Sequence, residues 1–456
     1  MRAAIRSHEQ YRWYALAVIM LGSMMGTLDA SIANVAMPTI ARAYQRSVAD
    51  TEWVILSFML VTASTLVLFG RLGDIFGQKR IYLIGFAVFG TSSLACAFAP
   101  SLGILIAARA VQALGAAMLL SSNQALIVDT FPATERGRAI GFNGAAVAVG
   151  LSMGPIIGGA IVTFGDWRWI FLINVPISVA AMIGAIFVLR PVQQKGGGLD
   201  PLGAVLSIVT LFSASLALSR SHIWGWFSPL TLGLLALSQV TLWIFVFVER
   251  RVPTPTLDLS LFKIRIFAVS SLAAFVYFAA FSGVIFIVPL TAQTALGDPA
   301  FTAGFLLTPI TALNIVLAPT AGALSDRVPV RYVSTAGALV VALGLFLLSR
   351  LPPLPSTGEI ITALVITGCG TAVFTQPNNS AIMGSAPSNR RGIAAGTLAT
   401  ARTSGQLLGV ALASAVYFAH TANAGGLAKT FAPASSYFGF VAFVMLGVAA
   451  LSWMRE

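Results

Sequence analysis

The stretch from Leu28 to Pro38, LDASIANVAMP, sets an acid, Asp29, and a carboxamide, Asn34, inside an otherwise apolar segment. A carboxylate in hydrocarbon costs roughly 2.5–3.5 kcal/mol even on mild insertion scales, so an acid there marks a candidate functional position. Farther along, Arg109 interrupts a second apolar run, with Gln112 one helical turn later. Asp29 lies nine residues before Pro38 and Arg109 eight after Ser101. At about 1.5 Å per residue both sit roughly 12–14 Å below one surface, near the middle of a hydrocarbon layer about 30 Å thick. Two kinds of chemistry follow from their meeting there. An acid alternately paired with Arg109 and protonated carries a proton, because the cation favours the carboxylate while desolvation favours the neutral acid. A static ion pair would instead hold two helices together. Gln112 and Asn34 are the groups placed to complete the hydrogen bonds.

Other polar residues offer less. Glu52, in DTEW, precedes an apolar run, where a carboxylate complements a helix N-terminus rather than taking part in coupling. Asp129 and Asp166 read as interfacial. Arg402 is a second cation inside an apolar run, one or two turns from its polar end and long enough to snorkel out, which makes a structural role the expectation. His8, His222 and His420 fall near run ends or in loops, giving no metal site and no hydrolytic triad. Cys96 and Cys369 lie within apolar runs far apart in sequence and read as packing residues, neither a disulfide framework nor a thiolate metal site.

The elements that must position these groups are membrane spans. Of the 456 residues 57% are hydrophobic and only 9% charged, whereas a soluble surface needs about a quarter of its residues charged. Apolar runs long enough to cross a bilayer occupy 13–36, 52–70, 80–98, 102–127, 138–163, 168–190, 202–220, 229–248, 267–292, 303–324, 331–350, 359–384, 392–418 and 436–454. Tryptophans such as Trp13, Trp53, Trp167, Trp224 and Trp453 stand at their ends, as headgroup-level rings do. The first run is too long for a signal-peptide core and reads as an uncleaved first span. The net charge of +12 comes from short basic clusters between spans rather than a continuous patch, which excludes nucleic acid as a partner. Most Lys and Arg fall in alternate loops and the termini; only Arg42, Arg46, Arg168, Arg220, Arg350 and Lys429 fall in the others. The asymmetry predicts both termini in the cytoplasm.

The chain also repeats itself. Gly115, Asn123, Gly137, Gly150 and Gly154 recur as Gly370, Asn378, Gly392, Gly405 and Gly409 at a constant offset of 255, and GRLGD at Gly70–Asp74 has an echo in GALSD at Gly322–Asp326. A duplicated six-span bundle with an extra pair inserted is the expectation. The boundaries are 1–190 for the N-terminal bundle, 191–265 for the linker with two extra spans, and 266–456 for the C-terminal bundle. VQQKGGG (Val192–Gly198) reads as a flexible connector into the pair. Gly150, Gly154 and Gly158, with Gly159 and Pro155, form a bare stripe on which another helix can sit closely. In GRLGDIFGQKR, Gly70, Gly73 and Gly77 permit a tight turn, while Asp74 with Arg71, Lys79 and Arg80 can form a charge network at the seam between bundles, with Asp326 in the second copy.

Taken in order, LDASIANVAMP, GRLGDIFGQKR, LIAARAVQALGAA (Leu105–Ala117) and GLSMGPIIGG (Gly150–Gly159) resemble the four signature motifs of the major facilitator superfamily, in particular its fourteen-helix drug:proton antiporter group of EmrB/QacA-type exporters. The resemblance spans essentially the whole chain. It implies an all-α polytopic fold with two pseudo-symmetric six-helix bundles plus two extra helices. It implies proton-coupled export of amphipathic small molecules across the cytoplasmic membrane by alternating access, with no cofactor, no enzymatic activity and a monomeric state. Asp29 and Arg109 match the proton-coupling positions; Gly70, Asp74, Gly77, Lys79 and Arg80 match the gating loop; Gly150, Gly154, Pro155, Gly158 and Gly159 match the helix-5 antiporter motif. Met25, Asn34, Gln112, Asn123, Phe278, Phe281 and Asn378 are the expected cavity residues. Ile75 and Pro329 depart from the gating pattern, Phe58 replaces a usual tyrosine and so removes a cavity hydroxyl, and the second half lacks a clear intramembrane acid. A proton-coupled importer and a dedicated exporter of one metabolite are the same-class alternatives. A membrane transferase would need clustered acids or a His-Asp arrangement, and a sensor would need a soluble signalling domain.

Overall fold

The computed structural model describes residues 10–132, 135–190, 201–252, 259–325, 327–387, 391–423 and 431–454. Asp326, His8, Lys429 and the Val192–Gly198 connector lie outside them. The described residues form α1 Tyr11–Ala43, α2 Trp53–Phe76, α3 Gln78–Ala97, α4 Leu102–Thr130, α5 Arg136–Phe164, α6 Asn174–Val188, α7 Pro201–Trp224, α8 Pro229–Glu249, α9 Arg265–Thr294, α10 Thr308–Ser325, α11 Val330–Ser349, α12 Thr357–Ser385, α13 Arg391–Asn423 and α14 Ala432–Trp453. One-turn or two-turn helices at Val48–Thr51, Trp169–Leu172 and Ala300–Phe305 precede α2, α6 and α10.

Each of the fourteen expected spans coincides with one of these helices. Among the described residues 12 helices are long and apolar enough to cross a membrane, or up to 13 with α2, which is bent by 49° between Val48–Leu66 and Leu68–Phe76. α13, at 33 residues, is long enough but carries Arg402 and a more polar sequence. Helix starts follow local chemistry: the Ser101 side chain accepts the Ile104 amide at the head of α4, and Ser356 and Glu359 form a capping box at the head of α12.

The two copies pack alike. Near Gly115 the α4 backbone lies against Gly85 and Phe89 of α3, and near Gly370 the α12 backbone lies against Gly337 and Val341 of α11. Gly150 and Gly154 seat α5 on Met24–Ile32 of α1, while Gly405 and Gly409 seat α13 on Phe275–Ser282 of α9. Asn123 Nδ2 donates to Ser23 Oγ on α1 (2.6 Å), and Asn378 Nδ2 to the Ser270 carbonyl on α9 (3.1 Å). In both copies the same element thus meets the same partner.

α7 and α8 pair through Thr210 Oγ1 donating to Thr241 Oγ1 (2.8 Å) and Ser238 Oγ donating to the Thr210 carbonyl (3.0 Å). α7 also lies against both α2 and α13, one from each bundle. The bundles themselves meet near the end where α1 stops at Ala43, called the far end below. There Gln293 Nε2 on α9 donates to the Val35 carbonyl on α1 (3.0 Å), the Phe301 amide donates to Thr163 Oγ1 on α5 (2.9 Å), and Ser414 on α13 donates to Glu52 before α2. A continuous apolar core joins Ala33, Met37, Ile55, Leu56 and Met59 of the first copy to residues of α9, α12 and α13.

The glycine stripe on α5 divides its work. A Cβ on Gly154 would lie 2.9 Å from the Leu28 carbonyl oxygen and one on Gly158 2.8 Å from that of Ile32, so both glycines serve contact with α1. Gly159 faces the opposite bundle at Ala300 and Phe301 and stands off the α1 stripe. Gly144, on the same helix, has open space where a Cβ would go. Gly154→Ala is therefore expected to lower stability by about 1–3 kcal/mol through overpacking, and Gly144→Ala to leave it unchanged within about 0.5 kcal/mol; thermal unfolding of the two purified variants in detergent checks both.

Candidate functional site

Asp29 on α1 and Arg109 on α4 meet, both 0% exposed. The Arg109 Nη1 group donates to Asp29 Oδ2 and, at 2.7 Å, to Gln112 Oε1, while its Nε donates to the Val54 carbonyl of α2 at 3.1 Å. Gln112 Nε2 donates to Asp29 Oδ1 (3.2 Å) and to Ser93 Oγ of α3 (2.6 Å). Asn174, at the first position of α6, completes the acid's shell with Nδ2 donating to Asp29 Oδ1 at 2.7 Å. The guanidinium lies 4.2 Å from the Phe58 ring centroid and 5.5 Å from that of Phe171. Five helices of one bundle thus converge on one ion pair. Its carboxylate has hydrogen bonds on both oxygens, and its cation rests on aromatic faces, which suits a charge out of water.

Several residues stand elsewhere than their sequence positions suggest. Asn34 is buried but does not reach the pair, and its Oδ1 has no partner; Asn174 fills that role, across a sequence distance no local pattern marks. Phe58 does not face a cavity, since its ring is buried against Arg109. Met25 is buried inside the first bundle with its sulfur accepting from Ser178 Oγ (3.3 Å). Gln112, Asn123 and Asn378 are likewise spent on contacts within their own bundles. Asn123 belongs to a second polar cluster, in which Ser23 Oγ, accepting from Asn123, donates to Asn143 Oδ1 of α5 at 2.6 Å.

Phe278 and Phe281 fare differently. Tyr277 stacks on Phe281 at 5.7 Å with 15° between planes and meets Phe374 of α12 at 4.9 Å, while Arg402 holds its guanidinium 5.1 Å from the Phe278 ring. Arg402 is half-buried, and its Nε is buried without a hydrogen-bond partner. The ring cluster and this cation form one wall of the second bundle. Tyr277 and Phe374 lack any signal in sequence beyond the aromatic run they belong to.

The loop at Gly70–Arg80 forms a tight turn at the end opposite the far end. Gly77, at φ +95°, joins α2 to α3 in a conformation that favours glycine. Asp74 accepts from Gln78 Nε2 at 3.0 Å and lies 3.9 Å from Arg71. Lys79 turns away from Asp74 and donates to the carbonyls of Ile186 (3.0 Å) and Leu189 at the end of α6, where a cation complements the helix terminus. Arg80 is exposed. Of the expected network of Asp74 with Arg71, Lys79 and Arg80, the Arg71–Asp74 pair forms, while Lys79 binds the end of α6, and these contacts stay within the first bundle. Among the described residues no group of three or more His, Cys, Asp or Glu could hold a metal ion.

Comparison with known proteins adds to this geometry. The chain matches the Major Facilitator Superfamily over residues 19–264 and 270–456. It is 37% identical over 407 residues to the uncharacterized transporter YebQ of Escherichia coli, covering 88% of each chain. It is 33% identical to the riboflavin transporter RibZ of Clostridioides difficile, covering 89% of this chain and 88% of that one. It is 31% identical to the multidrug resistance protein Stp of Mycobacterium tuberculosis, covering 87% and 74%. Among solved structures it resembles a bacterial homolog of the human lysosomal transporter Spinster in an inward-facing, unoccupied conformation, at TM-score 0.67 and 16% identity over 98% of both chains.

Removing one member of a buried pair strands the other, at a cost of about 3–5 kcal/mol, whereas replacing both by apolar residues is far milder. Arg109→Leu is expected to destabilise by that amount and the double variant Asp29→Leu, Arg109→Leu to recover much of it, as read from thermal unfolding in detergent.

Proposed function

Since the chain belongs to the Major Facilitator Superfamily, we propose that this multi-pass membrane transporter exports amphipathic small molecules across the cytoplasmic membrane in exchange for protons. The observation that carries the proposal is the Asp29–Arg109 pair, a fully buried acid whose charge depends on one cation and two carboxamides. With both termini in the cytoplasm, as the distribution of Lys and Arg suggests, the far end faces outward and the conformation is shut to the outside. In this state Asp29 is paired with Arg109. Parting of the far end admits a proton, which converts the carboxylate to a neutral acid and releases Arg109 from its strongest partner. The opposite rock returns the proton to the cytoplasm as the pair re-forms.

Export rather than uptake is supported by the α5 glycines that seat α1, which match the antiporter motif, and by relatives such as Stp whose names record multidrug resistance. Phe281, partly exposed beside the buried rings of Tyr277 and Phe278, and Arg402 are the aromatic and cationic groups that this reading assigns to a ring-bearing amphipathic substrate. The riboflavin transporter RibZ favours a second reading, a carrier dedicated to one metabolite. Complete burial of the pair favours another role for it, as a brace between α1, α4 and α6.

The test is proton movement in vesicles reconstituted with the protein and presented with riboflavin or the lipophilic dye ethidium. Wild type is expected to release protons on substrate addition and to concentrate substrate against a gradient when the two sides differ in pH. Asp29→Asn is expected to lose uphill transport while keeping downhill exchange. Uphill transport by Asp29→Asn would leave the pair as a brace only.

A further inference from the structure

Glu52 immediately precedes α2 at the far end, where sequence position alone gives it a capping role. Its surroundings are different. Its backbone is helical (φ −55°, ψ −26°) and its side chain caps no amide. It is 0% exposed, and Ser414 Oγ of α13, in the opposite bundle, donates to its Oε2. Its Oε1 is buried with no partner. Glu52 is therefore an acid clamped across the seam that must open in an alternating-access cycle.

No cation among the described residues pairs with it. Arg220 of α7, whose charge is felt at Glu52 together with that of Asp50, is engaged with Asp50 at 3.2 Å and lies 6.0 Å from the Trp53 ring. His222 of α7 packs on Phe418 of α13 at 5.5 Å, Tyr417 of α13 shares a hydrogen bond with Thr294 of α9 at 3.1 Å, and Arg46 is exposed in the far-end loop. A carboxylate shut in an apolar seam without a cation is strongly disfavoured, and such a group holds a proton instead. The contrast with Asp29 is chemical: one acid is buried with a guanidinium and two carboxamides, the other with a single neutral hydroxyl.

We propose that Glu52 is a second proton-binding site, loaded from far-end water as the seam closes and emptied back into it when the bundles part. In the shut state the proton rests on Oε1 and Ser414 donates to Oε2. On opening, the Glu52–Ser414 contact breaks, water reaches the carboxyl, the O–H bond breaks and the proton passes to that water. Low pH at the far end therefore favours closure, and high pH favours opening. The inference rests on the alternating-access reading given above, although it does not require Asp29 to carry a proton.

The test reads the seam directly and without substrate. Spin labels on cysteines introduced at Ala43→Cys and Thr357→Cys, in a Cys369→Ser background, report the far-end separation of the two bundles in lipid nanodiscs from about pH 5 to about pH 9. The comparison is made in an Asp29→Asn background, where Glu52 is the acid under test. There the ratio of shut to parted populations is expected to fall by up to about tenfold per pH unit through the transition. Adding Glu52→Gln, whose amide cannot ionise, is expected to keep the seam shut with less than about twofold change across the range. Adding Glu52→Asp or Ser414→Ala instead is expected to keep a pH-dependent seam. A Glu52→Gln profile that tracks its parent, or a parent distribution indifferent to pH, would overturn the proposal. Because neither substrate nor gradient enters the measurement, loss of coupling in Asp29→Asn vesicles bears on the earlier reading alone.

Discussion

A charge buried far from water must be given partners by the protein, and the Asp29–Arg109 pair shows how much structure that requirement recruits. α1 supplies the acid, α4 the cation and Gln112, α2 the Val54 carbonyl, α3 Ser93 and α6 Asn174. In a low-dielectric interior each unsatisfied lone pair or N–H is expensive, so the arrangement of these helices is fixed as strongly by polar satisfaction as by apolar packing. The same constraint makes the site informative about mechanism, since any change in the charge of Asp29 is felt by every helix that ends a hydrogen bond there.

Small residues solve the complementary problem. Helices in lipid gain little from hiding apolar surface from one another, so close backbone approach and interhelical hydrogen bonds must hold them. The contacts of Gly150 and Gly154 of α5 with α1, and of their counterparts Gly405 and Gly409 of α13 with α9, place that solution at equivalent positions in both copies. Duplication accordingly preserved an interface rather than merely a helix count. The acid and its cation were not preserved with it, so the two bundles share a frame and differ in chemistry.

The parts of the site readable in the sequence were those set by depth and helical spacing. Asp29 and Arg109 sit at matching distances from the ends of their segments, and Gln112 follows Arg109 by one turn, which is enough to bring three of the partners together. Asn174 was not legible because its approach depends on how α6 packs on the bundle, a relation with no local signature. Asn123 and Asn378 were recognisable as a repeated pair, yet a lone asparagine in an apolar helix reads equally as a cavity group or an interhelical bridge, and the structure makes both of them bridges. Glu52 misled for the opposite reason: a strong local pattern, an acid before a helix, was overridden by a residue 362 positions away in sequence. Helix positions were nearly all legible, since the apolar runs are long, while the bend in α2 has no proline to announce it.

The placement of α7 has a consequence for molecules dissolved in the bilayer. It covers the flank where α2 of one bundle lies beside α13 of the other, whereas the opposite flank, formed by α5 and α10, carries no such added helix among the described residues. The two sides of the protein therefore present unequal borders to the surrounding lipid. An acyl chain or a lipophilic compound drifting in the membrane plane meets the extra helix on one border and, on the other, the seam itself, where Gly159 lies against Ala300 and Gly304 against Pro155.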